Sequence, residues 1–195
     1  YITGKGRCNV TNDCAPEDFF PNVPRNPRFL YSAVYAFPPR EVMAWFEAHG
    51  CALKTERGNR VFPQSDKSAS VIDALRAELR RLGVRVLQER ALDIVTQDGA
   101  VCGLKTDGGF HKTERVILAT GGCSYPQTGS TGDGYRMLEK LGHTIVPPVG
   151  SLVPLVEKGY DCKQMQGLAL KNVALRLVNQ KGKTVFEEFG ELLFT

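Results

Sequence analysis

The stretch from Arg115 to Gly134, RVILATGGCSYPQTGSTGDG, constrains this chain more than any other. Val116, Ile117 and Leu118 form a short apolar run without polar alternation, the pattern of a strand covered on both faces. The expected strand, 116–119, runs straight into Ala119, Thr120, Gly121 and Gly122. Small residues at a strand's carboxyl end let a planar or anionic group approach the main chain, because no Cβ stands in the way. Ligands of open α/β sheets sit at that edge. Gly129-Ser-Thr-Gly-Asp-Gly134 then leads into a helix expected over 134–141, with Asp133 as its N-cap and dipole partner. A buried strand, a glycine turn and a capped helix with no ligand account for the same residues. The remaining chain has to decide.

At 195 residues the chain is long enough for one large domain or two small ones. A net charge of +4 suits a small anionic ligand and is too weak to argue for nucleic acid as a partner. The cysteines at 8, 14, 51, 102, 123 and 162 show no C-x-x-C pair and no histidines at ligand spacing, so no metal site is expected. Reduced thiols in a cytosol fit that scatter better than disulfide staples. Cys123, beside the glycine pair, reads as a redox-active thiol or as a small buried filler. No apolar run approaches the ~20 residues of a membrane span, and no cleavable signal opens the sequence. A cytoplasmic protein is the expectation. Both ends have the look of elements cut in the middle, so a piece of a longer protein is expected.

Residues 4–12, GKGRCNVTN, combine backbone freedom at Gly4 and Gly6, positive charge at Lys5 and Arg7, and short polar side chains at Asn9, Thr11 and Asn12. That mixture suits a phosphate or a polar ring edge. The spacing is not that of a Walker loop, and an exposed basic turn would read the same way. A helical excursion over 18–68 follows. It holds an expected short helix at 27–34 capped by Asn26, and a clearer one at 40–49 closed by Gly50. Residues 54–68 surround Gly58-Asn-Arg-Val-Phe-Pro63, either a cleft lining or a surface loop. Over 70–82, Val71, Ile72, Leu75, Leu79 and Leu82 make one apolar stripe on an expected helix that Gly83 ends. Arg76, Arg80 and Arg81 lie mostly off it, as on a solvated face.

Strand-like segments come next at 84–87, 92–96, 101–106 and 110–112, separated by the turns Gln97-Asp98-Gly99 and Asp107-Gly108-Gly109. Helix, strand, small meander, then buried strand with a glycine end is the order of the second half of a dinucleotide-binding α/β domain. Pro147-Pro148 and Gly150 mark a break. Beyond it, 152–156, 173–178, 184–188 and 192–194 read as strands, with Asn179-Gln-Lys-Gly182 as a hairpin turn. The expected domains are 1–147, an α/β cofactor domain, and 148–195, the start of a β-rich insert facing substrate.

GKGRCNVTN at 4–12, Gly58-Asn-Arg-Val-Phe-Pro63, ATGGCSYPQTGSTGDG at 119–134 and Ser151-Leu-Val-Pro-Leu155 together resemble the BaiN/YhiN-like family of FAD-dependent flavoproteins. Some of its members are described as aminoacetone oxidases. The resemblance runs over nearly the whole chain. It implies a partial glutathione-reductase-like FAD-binding domain of α/β class with a β-meander, interrupted by an insert. By the same resemblance Lys5, Gly6, Arg7, Cys8 and Asn9 form a wall of the flavin site. Leu92 matches the position whose backbone meets the adenine, and Ala119, Thr120, Gly121 and Gly122 match the strand end against the cofactor. The family's G-x-G-x-x-G is absent from these residues and would lie ahead of Tyr1, with its closing FAD strand beyond Thr195.

A flavin oxidoreductase is therefore the leading expectation, moving hydride between NAD(P)H or a small organic substrate and an acceptor. Arg7 is the candidate for stabilising charge on a reduced flavin or its phosphates, against the alternative of a surface arginine. Tyr125 is preferred over Ser124 and His143 as an acid–base group near substrate, although a structural role is open for each. An amine oxidase using oxygen is the alternative within flavin chemistry. A non-catalytic binding module, touching a partner or RNA through Arg25, Arg28 and the arginine-bearing helix, is the alternative outside it. Substrate and oligomeric state are not readable from the sequence.

Overall fold

The computed structural model describes residues 6–150 and 154–194. Lys5 and most of the Ser151–Leu155 motif lie outside them. The chain divides into two units, Tyr1–Glu89 and Arg90–Thr195. Both mix helices with antiparallel strands, and among the described residues every sheet is antiparallel.

In the first unit, β1 (Thr11–Asn12), β2 (Leu53–Glu56) and β3 (Arg60–Pro63) form one sheet in the order β1–β3–β2. The turn between β2 and β3 carries Gly58 at φ 75° and Asn59 at φ 56°. A left-handed pair is what a tight antiparallel reversal needs, and glycine and asparagine tolerate it best. The register pairs Thr55 with Val61 and Thr11 with Val61 on the other side, which leaves Val61 wholly buried.

Helix α4 (Ser68–Arg81) packs on this sheet through Val71 and Ala74, which join Cys51 in the core with Cys8, Val10, Phe46 and Leu53 against them. The expected apolar stripe is only half used. Leu75, Leu79 and Leu82 are 43%, 36% and 59% exposed, because three short strands cover only the helix's opening turns. Short helices α1 (Pro16–Phe19) and α2 (Tyr31–Ala36) precede α3 (Pro39–Ala48). The helix expected at 27–34 is instead a 3-10 turn, Pro27–Leu30, followed by α2. Asn26 sits at φ 50° and makes no capping bond, whereas an N-cap normally takes extended backbone. His49 ends α3 by stacking on Trp45, with ring centroids 4.1 Å apart, and Gly50 at φ 81° turns the chain.

The second unit opens with a meander of β4 (Ala91–Gln97), β5 (Ala100–Thr106) and β6 (Gly109–Lys112). Asp98 and Gly99, both at positive φ, make the tight β4–β5 turn. Helix α5 (Asp133–Lys140) buries Met137, and Lys140 Nζ reaches Asp93 Oδ2 on β4 at 3.1 Å. Its N-cap is Gly132 at φ 77°, not Asp133. Asp133 is the first helical residue, and its carboxylate is taken by Arg90, Arg136 and the Thr131 hydroxyl.

Two expected strands are absent. Residues 84–87 and 116–119 join no ladder, and Ile117, expected to be covered on both faces, is 94% exposed. An apolar run becomes a strand only when a neighbour accepts its peptide hydrogen bonds, and no described residues offer one here. Toward the C-terminus, short α6 (Asp161–Gln164) precedes the long ribbon of β7 (Ala169–Val178) and β8 (Thr184–Leu193). The Asn179 Oδ1 accepts the amides of Lys181 and Lys183 at 2.9 and 3.1 Å, which closes the hairpin. Residues 154–156, expected to end a strand, pair with nothing. Among the described residues no helix is long and apolar enough to cross a membrane.

Candidate cofactor-binding site

The loop 6–10 reaches β3 through backbone and side chain together. Val10 N–H donates to Val61 O at 2.8 Å, and the Asn9 amide donates to Thr11 O and Val61 O at 2.8 and 2.9 Å. Asn12 Nδ2 donates to Gly58 O at 2.9 Å, and Asp13 N–H to Asn59 O at 2.7 Å. These bonds bring two of the sequence motifs, 4–12 and 58–63, onto one edge of the first unit. Gly6 and Cys8 both have positive φ, at 84° and 65°. Cys8 packs toward the Cys51–Val71–Ala74 core.

Arg7 lies over the Phe62 ring, 4.1 Å from its centroid, and donates to Glu56 Oε1 at 2.8 Å and Asp66 Oδ1 at 3.3 Å. Lys54 Nζ completes the group at 2.6 Å from Asp66 Oδ2 and 3.5 Å from Glu56 Oε1. Two cations and two carboxylates balance, so the set has no net charge to offer an anion. The hydrogen bond to Glu56 holds the Arg7 guanidinium more firmly protonated than usual. The Lys54 ammonium, helped by Arg7, holds the Asp66 carboxyl below the ordinary carboxylate range. Glu56 and Asp66 were not singled out by the sequence. Their only mark is the charge alternation around the Gly58 motif, which also describes an ordinary surface strand.

In the second unit, Ala119, Thr120 and Gly121 are exposed and Gly122 is half-buried. Gly121 has φ 75°, and a Cβ there would stand 2.9 Å from Ser130 Oγ. Behind them Gly134, at the start of α5, leaves the space that Thr120 and Leu118 fill. The stretch is thus supported from behind by α5 and presents main chain with hardly any side chain in front. Leu92 sits at an irregularity in the β4–β5 ladder, between the pairs Ala91–Thr106 and Asp93–Lys105. Such a bulge releases peptide groups from the ladder. Tyr125 is 54% exposed, and its carbonyl accepts Thr128 N–H and the Thr128 hydroxyl. The structure therefore assembles 6–9 with 54–66 in one unit and 118–122 with 130–135 in the other.

For a flavin, both places fit by backbone more than by side chain. The 119–122 segment carries hardly any side chain, and Gly6 and Cys8, both at positive φ, make the 6–8 loop a sharp backbone turn. A cavity of about 460 Å³ adjoins the first place. Asn12 and Cys14 line one side and Gly58 and Asn59 another, with Asp18, Phe19 and Asn22 opposite.

The family described as HI0933-like protein Rossmann domain matches residues 1–193. The chain is 30% identical to the 3-dehydro-bile acid delta(4,6)-reductase of Clostridium scindens over 99% of its length and 46% of that protein. It is 28% identical to the ribosomal RNA dihydrouridine synthase of Escherichia coli over 100% of its length and 47% of that protein. An L-aspartate oxidase of Saccharolobus solfataricus is 30% identical over 46% of the chain and 21% of its own length. The chain spans about half the length of the first two relatives.

Proposed function

The chain belongs to the HI0933-like Rossmann family, and from that premise we propose that the whole protein is an FAD-dependent oxidoreductase that reduces a carbon–carbon double bond conjugated to a carbonyl. The observation that carries the flavin half is the exposed main chain of Ala119–Gly122, backed by α5 and nearly free of side chains. The substrate half draws on the relatives' printed names. A 3-oxo-Δ4,6 steroid and uridine both present an alkene joined to a carbonyl, so the same polarity of reduction serves both.

When bound, the flavin supplies hydride to the alkene carbon β to the carbonyl. The residues of this chain bind and orient. Ala119, Thr120, Gly121 and Gly122 give a flat ring bare peptide to rest on, and the bulge at Leu92 offers peptide groups to an adenine. The family resemblance extends the proposed cofactor contacts to Lys5, Gly6, Arg7, Cys8 and Asn9; in the first unit Arg7 is already paired with Glu56 and Asn9 is tied to β3. Tyr125 stands near the glycine segment in sequence as a candidate proton donor. NAD(P)H is the proposed source of electrons, and a small molecule the proposed substrate. The free cysteines accord with a reducing compartment.

The test uses the full-length protein. It should purify yellow and release FAD on denaturation, and after anaerobic reduction a conjugated enone or enamide should reoxidise it. A colourless protein overturns the reading. Oxygen uptake with small primary amines, without turnover of conjugated carbonyls, would instead establish an amine oxidase, the second reading that the L-aspartate oxidase match favours.

A further inference from the structure

Tyr31 and Tyr35 stand four residues apart on α2, so their side chains share one face of that helix. The chain ahead of them folds back against that face. Phe20, buried just after α1, has its ring centroid 4.3 Å from that of Tyr31 and 5.6 Å from that of Tyr35. The two tyrosine rings lie 6.3 Å apart at 89° to each other. Together with Pro21, Pro27 and Glu17 of α1 they line a cavity of about 410 Å³. Every lining residue belongs to the first unit.

Aromatic faces are electron-rich and attract a cation. Glu17 is the one charged side chain of the lining. Its Oε1 accepts from the Tyr35 hydroxyl at 3.1 Å, and among the described residues no lysine or arginine pairs with it. Desolvation, and then the bond to Glu17, hold the Tyr35 phenol protonated beyond its usual range, so the hydroxyl stays a donor and the carboxylate an acceptor. Packing alone does not account for the set, because Tyr31 and Tyr35 remain 41% and 52% exposed. An anion would meet the Glu17 charge. An ammonium rich in N–H groups would give up several hydrogen bonds to water for a single carboxylate. A methylated ammonium has few or none to give up, and its methyl groups suit ring and proline surfaces.

We propose that this cavity binds a methylated ammonium group, with Phe20, Tyr31 and Tyr35 receiving its methyl groups and Glu17 facing its charge. The cavity shares no residue with the 6–9 loop, the Arg7 set or the 119–122 segment, and the proposal does not depend on the reductase reading.

The test uses the full-length protein at fixed ionic strength, with choline as the probe. The control is 3,3-dimethylbutanol, its uncharged carbon counterpart. The choline methyl signal should show saturable magnetisation transfer from the protein, and the alcohol should bind at least about tenfold more weakly. Glu17→Gln and Tyr31→Leu should each weaken choline binding by about fivefold. Tyr35→Phe keeps the ring and loses only its tie to the carboxylate, so its effect should stay within about twofold. Unchanged melting temperatures would show that the variants are folded. Phosphatidylcholine vesicles that retain the protein and release it to excess choline would identify a lipid headgroup as the source of the group. Choline binding with no retention on vesicles would identify a free methylated amine. The proposal is overturned if choline does not bind, if the alcohol binds as well as choline, or if folded Glu17→Gln and Tyr31→Leu both bind choline as the wild type does. None of these readouts needs electron transfer, so their failure leaves the reductase reading standing, and a colourless protein that binds choline leaves this site standing.

Discussion

Gly121 has little freedom to change. Its φ of 75° disfavours any side chain, and a Cβ would press on Ser130 Oγ at 2.9 Å. Gly121→Ala should cost about 1–3 kcal/mol. In the full-length protein it should lower the FAD retained after gel filtration, which the ratio of flavin to protein absorbance measures. Asn9 acts differently, as a brace that satisfies two carbonyls of the β1–β3 edge. Asn9→Ala should cost about 1 kcal/mol in chemical denaturation and loosen the 6–10 loop, visible as faster amide exchange at Val10. Asp66 sets a pH dependence. Its carboxyl is held below the ordinary range by Lys54 and then Arg7, so the contribution is present above the unfolded value and fades as pH falls through the lowered folded one. Melting temperatures should therefore drop on acidification from about pH 4 downward, and Asp66→Asn should flatten that drop. The group is exposed, so the change should be modest and should shrink further in salt.

At the scale of elements, what a segment makes for itself was legible and what it borrows was not. Helices α3 and α4 announced themselves through periodicity, proline entry and glycine exit, and their observed bounds lie within two residues of the expected ones. The meander and the Asn179 hairpin were legible because their turns are local chemistry: Asp98-Gly99 in one, the Asn179 side chain in the other. Asn179→Ala should speed exchange of the Lys181 and Lys183 amides and leave α5 unaffected. The strands at 84–87 and 116–119 failed for the opposite reason, since an apolar run carries no information on whether a partner lies alongside. The candidate site divides the same way. Glycine positions pointed to the 119–122 segment, whereas the Glu56–Arg7–Asp66–Lys54 set depends on a pairing between β1, β2 and β3 that no local pattern encodes.

For the molecule as a whole, the mark that matters among the described residues is the number of large apolar side chains left exposed in both units. Leu75, Leu82 and Val86 of the first unit and Ile117, Leu155 and Phe186 of the second all stand in solvent. Surfaces of that kind seek cover. The 195 residues expressed alone should bind a hydrophobic dye strongly and sediment as a mixture of self-associated species, whereas the full-length protein should do neither. A monodisperse, dye-silent 195-residue chain would contradict this.

The unladdered segments 84–87 and 116–119 bracket the β4–β6 meander, and that arrangement bears on how fast such a protein reaches its final form. The meander closes through neighbours a few residues apart, within reach of the microsecond events of hairpin formation. Any pairing of the bracketing segments has to be won across a long stretch of polypeptide, against the entropy of closing it. Refolding should then be biphasic, with a rapid burst assigned to the meander and a slow phase that completes the remaining fold, read by far-UV circular dichroism after dilution from denaturant.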